Sequence, residues 1–247
     1  MASKPPGKCC ASGIAHTDEP IGKIEDFLGV QSYVTGEQHI NEKVIVIATD
    51  IYGLCLKNTK LVADKLAAGG YAVLIPDILF DDPYPTLNAS EALPDWLAKH
   101  PMDKVDELVI KYVKDLKAEY SPNFIGSIGY CFGAKPAIHL IDTKFALVDA
   151  CAIAHPSFVS MEELEAIGKN PILISAAEND PIFSEESRHA TEAKLKEIGA
   201  NYVMDLFGGV EHGFAVRGDL SIPAVKYARE KTIVDQLFFF DHYCSKK

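Results

Sequence analysis

Six apolar runs separated by segments of helical pattern constrain this chain more than any other feature. Val44–Ala48, Tyr71–Ile75, Phe124–Tyr130, Cys151–Ala154, Ile172–Ala176 and Tyr202–Phe207 carry Val, Ile, Leu and Ala almost without polar alternation. Strands of that kind are covered on both faces, as in a parallel sheet. Helical patterns lie between them at Leu56–Ala68, Lys104–Glu119 and Glu185–Ile198, and a last helix is expected from Ser221 and Pro223 to about Tyr243. This order of elements predicts an α/β architecture, a mostly parallel central sheet with helices on both faces. The 247 residues suit one such domain. Residues 1–30 are expected to form an irregular N-terminal leader packed on it, and residues 31–247 the domain, opening with a short strand at Gln31–Thr35. Residues 79–101 hold four prolines and the single Trp96. So much proline-rich chain inside a compact unit reads as a lid or pocket wall.

Composition removes several function classes. A net charge of −11 and scattered lysines leave no basic footprint for nucleic acid. No run of eighteen apolar residues exists, so no membrane partner is expected. The first twenty residues lack the apolar centre of a secretory signal. Six cysteines, at 9, 10, 55, 131, 151 and 244, contain no C-x-x-C pair, which predicts reduced thiols and a cytoplasmic setting.

The chemistry is concentrated in Gly129-Tyr130-Cys131-Phe132-Gly133, where an apolar strand ends and a helix begins. This is G-x-C-x-G, the nucleophile-elbow pattern with Cys in place of Ser. Glycines on both sides allow a sharp turn that lifts the side chain above the sheet edge. The helix N-terminus behind it favours thiolate. The same spacing also fits a tight turn around a buried, inert cysteine. Two further strand ends add weight. Glu178-Asn179-Asp180-Pro181 follows the fifth strand, and Gly208-Gly209-Val210-Glu211-His212-Gly213-Phe214 follows the sixth. Asp180 could simply turn the chain, and His212 could be a solvated loop residue. Nucleophile, acid and histidine in that order at three sheet-edge positions is the sequence order of an elbow hydrolase.

These residues resemble the dienelactone hydrolase family of the α/β-hydrolase fold. The segments Ala48-Thr49-Asp50-Ile51-Tyr52-Gly53 and Ile75-Pro76-Asp77 fit the same pattern, and Cys9-Cys10 with His16 looks like its fungal branch. The resemblance covers roughly residues 30–245. It implies a catalytic triad of Cys131, Asp180 and His212, with the Phe132 and Ile51 N–H groups as oxyanion donors. It also implies substrate-binding roles for Asp50, Arg217, Tyr52 and Trp96. Bacterial members carry a glutamate where Asp50 stands and bind a substrate carboxylate with two arginines. Arg217 matches one of these, and Asp81 occupies the region of the other.

The expected activity is hydrolysis of a small-molecule ester or lactone, of the carboxymethylenebutenolidase type, through an acyl-enzyme. Thioester hydrolysis and non-catalytic binding of a small molecule on the same scaffold remain open, as does peroxide chemistry at Cys131, for which no resolving cysteine can be placed. No cofactor and no metal are expected: adjacent Cys9 and Cys10 do not easily share one ion, and His16 leaves the ligand set incomplete. The chain is expected to act as a monomer or homodimer. His139 reads as a packed or surface residue, His155 as a turn residue able to line the site, and Cys55 and Cys151 as core.

Overall fold

In the computed structural model, which describes residues 1–245, the apolar runs form the centre of an eight-stranded sheet. Its strands are β1 (Lys23–Phe27), β2 (Val30–Thr35), β3 (Lys43–Ala48), β4 (Ala72–Pro76), β5 (Phe124–Tyr130), β6 (Ala150–Ala154), β7 (Pro171–Asn179) and β8 (Asn201–Glu211). Their spatial order is β1-β2-β4-β3-β5-β6-β7-β8, antiparallel through β4 and parallel from there on. The main helices are α1 (Lys57–Ala68), α2 (Leu93–Lys99), α3 (Met102–Tyr120), α4 (Ala134–Ile141), α5 (Met161–Ala166), α6 (Glu185–Ile198), α7 (Phe214–Arg217) and α8 (Pro223–Cys244). The architecture is the α/β one expected. Among the described residues, no helix is long and apolar enough to cross a membrane.

Each central strand feeds two cores, which is why its sequence does not alternate. In β3, Val44, Val46 and Ala48 point into one core with Val105, Val109 and Tyr112 of α3 and with much of α4. Ile45 and Ile47 point into the other, with Val62 and Leu66 of α1 and Ile233 and Phe240 of α8.

Four details differ from the sequence expectation. The leader contains a regular strand, β1, joined to β2 through Leu28 and Gly29, both at positive φ (56° and 78°). Two such residues make the tight hairpin turn that matches strand twist, and Leu-Gly is a weak sequence signal for it. β8 runs four residues beyond Phe207, because after an irregularity it pairs again with an extended β7 at Glu211 and Asn179. There the Gly209 N–H donates to the Glu178 carboxylate at 2.7 Å. Cys55, expected in the core, lies exposed in the turn before α1. Ser221 bonds Asp219 instead of capping α8, whose cap position is Ile222.

The leader is not loose. Ala2 and Ser3 are buried, the Ser3 N–H donates to Val159 O, and the Lys4 N–H donates to Ile182 O. These contacts carry residues 8–14 across the C-terminal edge of the parallel strands, where ligands bind in open α/β sheets.

The turn between β5 and α4 is closely packed against backbone. A Cβ at Gly129 would lie 2.5 Å from both Ala134 Cα and Gly133 O, which are backbone atoms that cannot swing away. Gly129→Ala is expected to lower stability by about 2–3 kcal/mol through overpacking. Urea unfolding followed by circular dichroism measures this, and an unchanged midpoint would contradict the close approach.

Candidate active site

Four strand ends at one sheet edge supply the polar residues. Cys131 follows β5, Asp180 follows β7, His212 follows β8, and Asp50 and Ile51 follow β3. Cys131 sits at φ 52°, a left-handed conformation that costs a non-glycine residue about 1–3 kcal/mol. It opens the short helical turn Cys131–Gly133 that leads into α4.

Cys131, Asp180 and His212 come together in one hydrogen-bonded line. Cys131 Sγ lies 3.1 Å from His212 Nε2, and His212 Nδ1 lies 2.8 Å from Asp180 Oδ2. Asp180 Oδ1 accepts the Ile182 and Phe183 N–H groups at 2.8 and 3.0 Å, which fixes the carboxylate behind the ring. With Nδ1–H held by a carboxylate, the ring presents Nε2 to the sulfur.

Electrostatics favour charge separation along this line. Burial pushes the Cys131 thiol up, but a hydrogen bond from Cys10 and the charge of His212 outweigh it and hold the thiol well below its ordinary range. Burial pushes His212 down, and the Cys131 thiolate with the Asp180 carboxylate reverses this and raises it. Asp180 itself is pushed up by burial and pulled down further by His212 and its two N–H donors. Both shifts run toward a thiolate–imidazolium pair.

Asp50 and Arg217 face each other. Arg217 Nη1 lies 2.6 Å from Asp50 Oδ2, both side chains are fully buried, and Arg217 also donates to Ser12 O at 2.8 Å. Burial raises the Asp50 carboxyl, and the adjacent guanidinium opposes that rise. Asp81 is exposed, its N–H bonded to the Asp77 carboxylate. The Tyr52 N–H and Gly53 N–H are taken by Asp50, while Ile51 precedes them on the same turn. Trp96 is buried, stacked on His100 at 3.9 Å and set edge-on to Phe132 at 5.7 Å, with its Nε1–H bonded to Asp82 O. The segment around it therefore forms a wall behind the elbow. Tyr52 closes the next side, 6.2 Å from Tyr84.

Cys10 and Ser157 join the site without having been assigned there from sequence, and His155, read there as a turn residue able to line the site, lies beside them. Cys10 Sγ lies 3.3 Å from His212 Nε2. Ser157 donates its N–H to Cys131 O and places its hydroxyl 3.8 Å from the thiol. His155, fully buried, packs 5.1 Å from the His212 ring, and burial keeps it well below its ordinary pKa, hence neutral. The Cys9-Cys10 pair was visible in the sequence, but its position depends on how the leader folds back. His16, the ligand considered for that pair, is elsewhere, with Nε2 3.0 Å from Gly218 O. His139 is held between Asp106 and Glu163, away from the site.

Residues 30–244 match the Dienelactone hydrolase family. The chain belongs to this family. It is 34% identical to the hydrolase pyvD of Aspergillus violaceofuscus over 248 residues, and 35% identical to the hydrolase tropI of Talaromyces stipitatus over 258 residues. Both alignments cover 100% of each chain. A putative dienelactone hydrolase from Klebsiella pneumoniae shares the fold with a TM-score of 0.71 at 15% identity, covering 92% of this chain and 100% of the other. The family makes the protein a hydrolase on the α/β-hydrolase fold.

The buried Asp50–Arg217 pair gives a direct test of the geometry. Arg217→Met is expected to cost about 3–5 kcal/mol, because it leaves the Asp50 charge buried without a partner. Asp50→Asn in the same chain should recover part of that loss. Urea melts of the two single variants and the double variant measure the coupling, and strictly additive losses would contradict a buried ion pair.

Proposed function

We propose that this family member hydrolyses a small-molecule ester or lactone through an acyl-enzyme on Cys131. The observation that carries this reading is the contact line from Cys131 Sγ through His212 to Asp180, at 3.1 and 2.8 Å. The thiolate attacks the carbonyl carbon, and negative charge moves onto the carbonyl oxygen. The N–H of Phe132, at the head of the helical turn, and that of Ile51, across the elbow, receive it. One such donor is worth about 3 kcal/mol in comparable sites. The imidazolium of His212 protonates the leaving alkoxide. The neutral ring then takes a proton from water, which attacks the thioester and frees the acid and Cys131. Asp180 holds the ring in the required tautomer throughout.

Substrate preference follows from the charges. The one arginine in the site already carries the Asp50 carboxylate at 2.6 Å, and Asp81 is an exposed acid. Among the described residues a substrate carboxylate meets no unpaired arginine here, so the reading favours a neutral ester or lactone. Tyr52 and Trp96 supply apolar and aromatic walls for it. Six free thiols fit a cytoplasmic location.

The test combines turnover with mass. Cys131→Ala should retain its fold and lose aryl-ester hydrolysis by roughly 10⁴-fold or more, as nucleophile removal does in related triads. Wild-type protein exposed to slowly hydrolysed lactones should show one acyl adduct on Cys131 by intact mass. Wild-type turnover by the alanine variant would end this reading.

A further inference from the structure

The leader delivers a second sulfur to the nitrogen that the nucleophile uses. Cys10 Sγ and Cys131 Sγ lie 3.3 and 3.1 Å from the same atom, His212 Nε2. All three donor atoms fall within 4.8 Å of one another, and all three side chains are buried. Triad chemistry requires one thiol at that nitrogen and leaves the other unexplained. We propose that Cys10, Cys131 and His212 form a binding site for a thiophilic divalent cation such as Zn²⁺.

Three features of the cluster fit this class of ion. First, the donors are two sulfurs and an imidazole, with no carboxylate or carbonyl oxygen among them, so the set suits Zn²⁺ or Cd²⁺ and not Mg²⁺ or Ca²⁺. Second, the spacing is close to what a tetrahedral ion needs. Zn–S bonds of about 2.3 Å and Zn–N bonds of about 2.0–2.1 Å put neighbouring donors roughly 3.5–3.8 Å apart. The two sulfur–nitrogen distances have to open by only a few tenths of an ångström. Third, the imidazole is already prepared. Its Nδ1–H is held by Asp180 at 2.8 Å, and Asp180 is fixed in turn by two backbone N–H groups. Metal-bound histidines almost always carry such a carboxylate or carbonyl partner on the far nitrogen, which turns the other lone pair toward the ion.

Binding exchanges two protons for the cation: M²⁺ displaces one proton from the Cys10 thiol and one from the Cys131–His212 pair, where it sits on Nε2, and forms two M–S bonds and one M–N bond. The fourth coordination position stays open to water. Two thiolates and a neutral imidazole balance the double positive charge, so the buried cluster ends without net charge. The bound ion would engage the Cys131 lone pair and tie residues 8–14 to the loops after β5 and β8. This proposal rests on the donor geometry and not on the ester hydrolysis proposed above.

The experiment uses full-length protein, freed of metal by a chelator and kept reduced with a phosphine, and titrates it with Cd²⁺. The thiolate-to-cadmium ultraviolet absorption should saturate at one equivalent with the intensity of two thiolates per ion. Zn²⁺ should displace Cd²⁺, and Mg²⁺ should not. Cys10→Ser and Cys131→Ser should each halve the absorption per bound ion and weaken binding. Asp180→Asn should weaken Zn²⁺ binding by about 10–100-fold while keeping two thiolates per ion, as loss of a partner behind a ligand histidine does. Cys55→Ser, at an exposed thiol outside the cluster, should bind as wild type. Zn²⁺ should also slow tryptic cleavage after the exposed Lys8 in wild type and not in Cys10→Ser, and circular dichroism checks that each variant is folded. A full wild-type band in folded Cys10→Ser, or no band at stoichiometric Cd²⁺, would overturn the proposal. No readout involves turnover, so failure of the hydrolytic reading would leave this result standing.

Discussion

The guanidinium of Arg217 joins three parts of the chain that sequence keeps far apart. It pairs with Asp50 at the end of β3, sits on the short helix directly after His212, and donates to Ser12 O and Cys9 O in the leader. A buried charge of this kind is costly without partners, so its neighbours are forced into a fixed arrangement around it. Asp50 cannot turn toward Cys131 while it holds Arg217. The leader cannot leave without removing backbone acceptors from a buried cation. The position of Cys10 beside Cys131 and His212 therefore depends on an ion pair that neither Cys10 nor Cys131 contacts by hydrogen bond.

The rest of the site depends on strand ends. Parallel strands bring their C-terminal ends to one edge; residues 131, 180 and 212 follow such an end directly, and residue 50 lies one residue further on. The cost of the arrangement is local: a left-handed Cys131 and a glycine pressed against backbone at 129. Both are tolerable because β3, β5 and β6 pair through the full register on either side of the elbow.

What could be read from the sequence divides along the same line. The central strands announce themselves by uninterrupted apolar runs, and the elbow by its two glycines. Asp180 and His212 are recognisable because each lies within a few residues of a strand end. All of these are local signals. Arg217 was visible too, but its partner was not. As a matched position it pointed to a substrate, whereas the structure gives its charge to Asp50. The position of Cys10 was out of reach, because it is set by hydrogen bonds from residues 3 and 4 to the chain at 159 and 182. The β1 strand was missed for a smaller reason, a Leu-Gly turn in place of the usual Asn-Gly.

The leader also bears on how a substrate arrives. Cys131 has no exposed surface. A cleft of about 350 Å³ next to it is lined by Ser12, Gly13, Asn88, His212 and Arg217, and it reaches the imidazole without reaching the sulfur. On the proposed acyl-enzyme route a carbonyl carbon has to come within bonding distance of that sulfur, which requires residues near Cys10 to move aside. They are held by Arg217 on Ser12 O, by the Asn88 N–H on Ala11 O, by two bonds between Gly13 and the Asn88 side chain, and by the Ile14 N–H on Arg217 O. At about 1 kcal/mol net for each such bond, displacement costs several kcal/mol. That is less than the about 5–15 kcal/mol that holds a whole domain, so the segment can open while the fold persists. It is also enough that a substrate must offset the cost with its own binding.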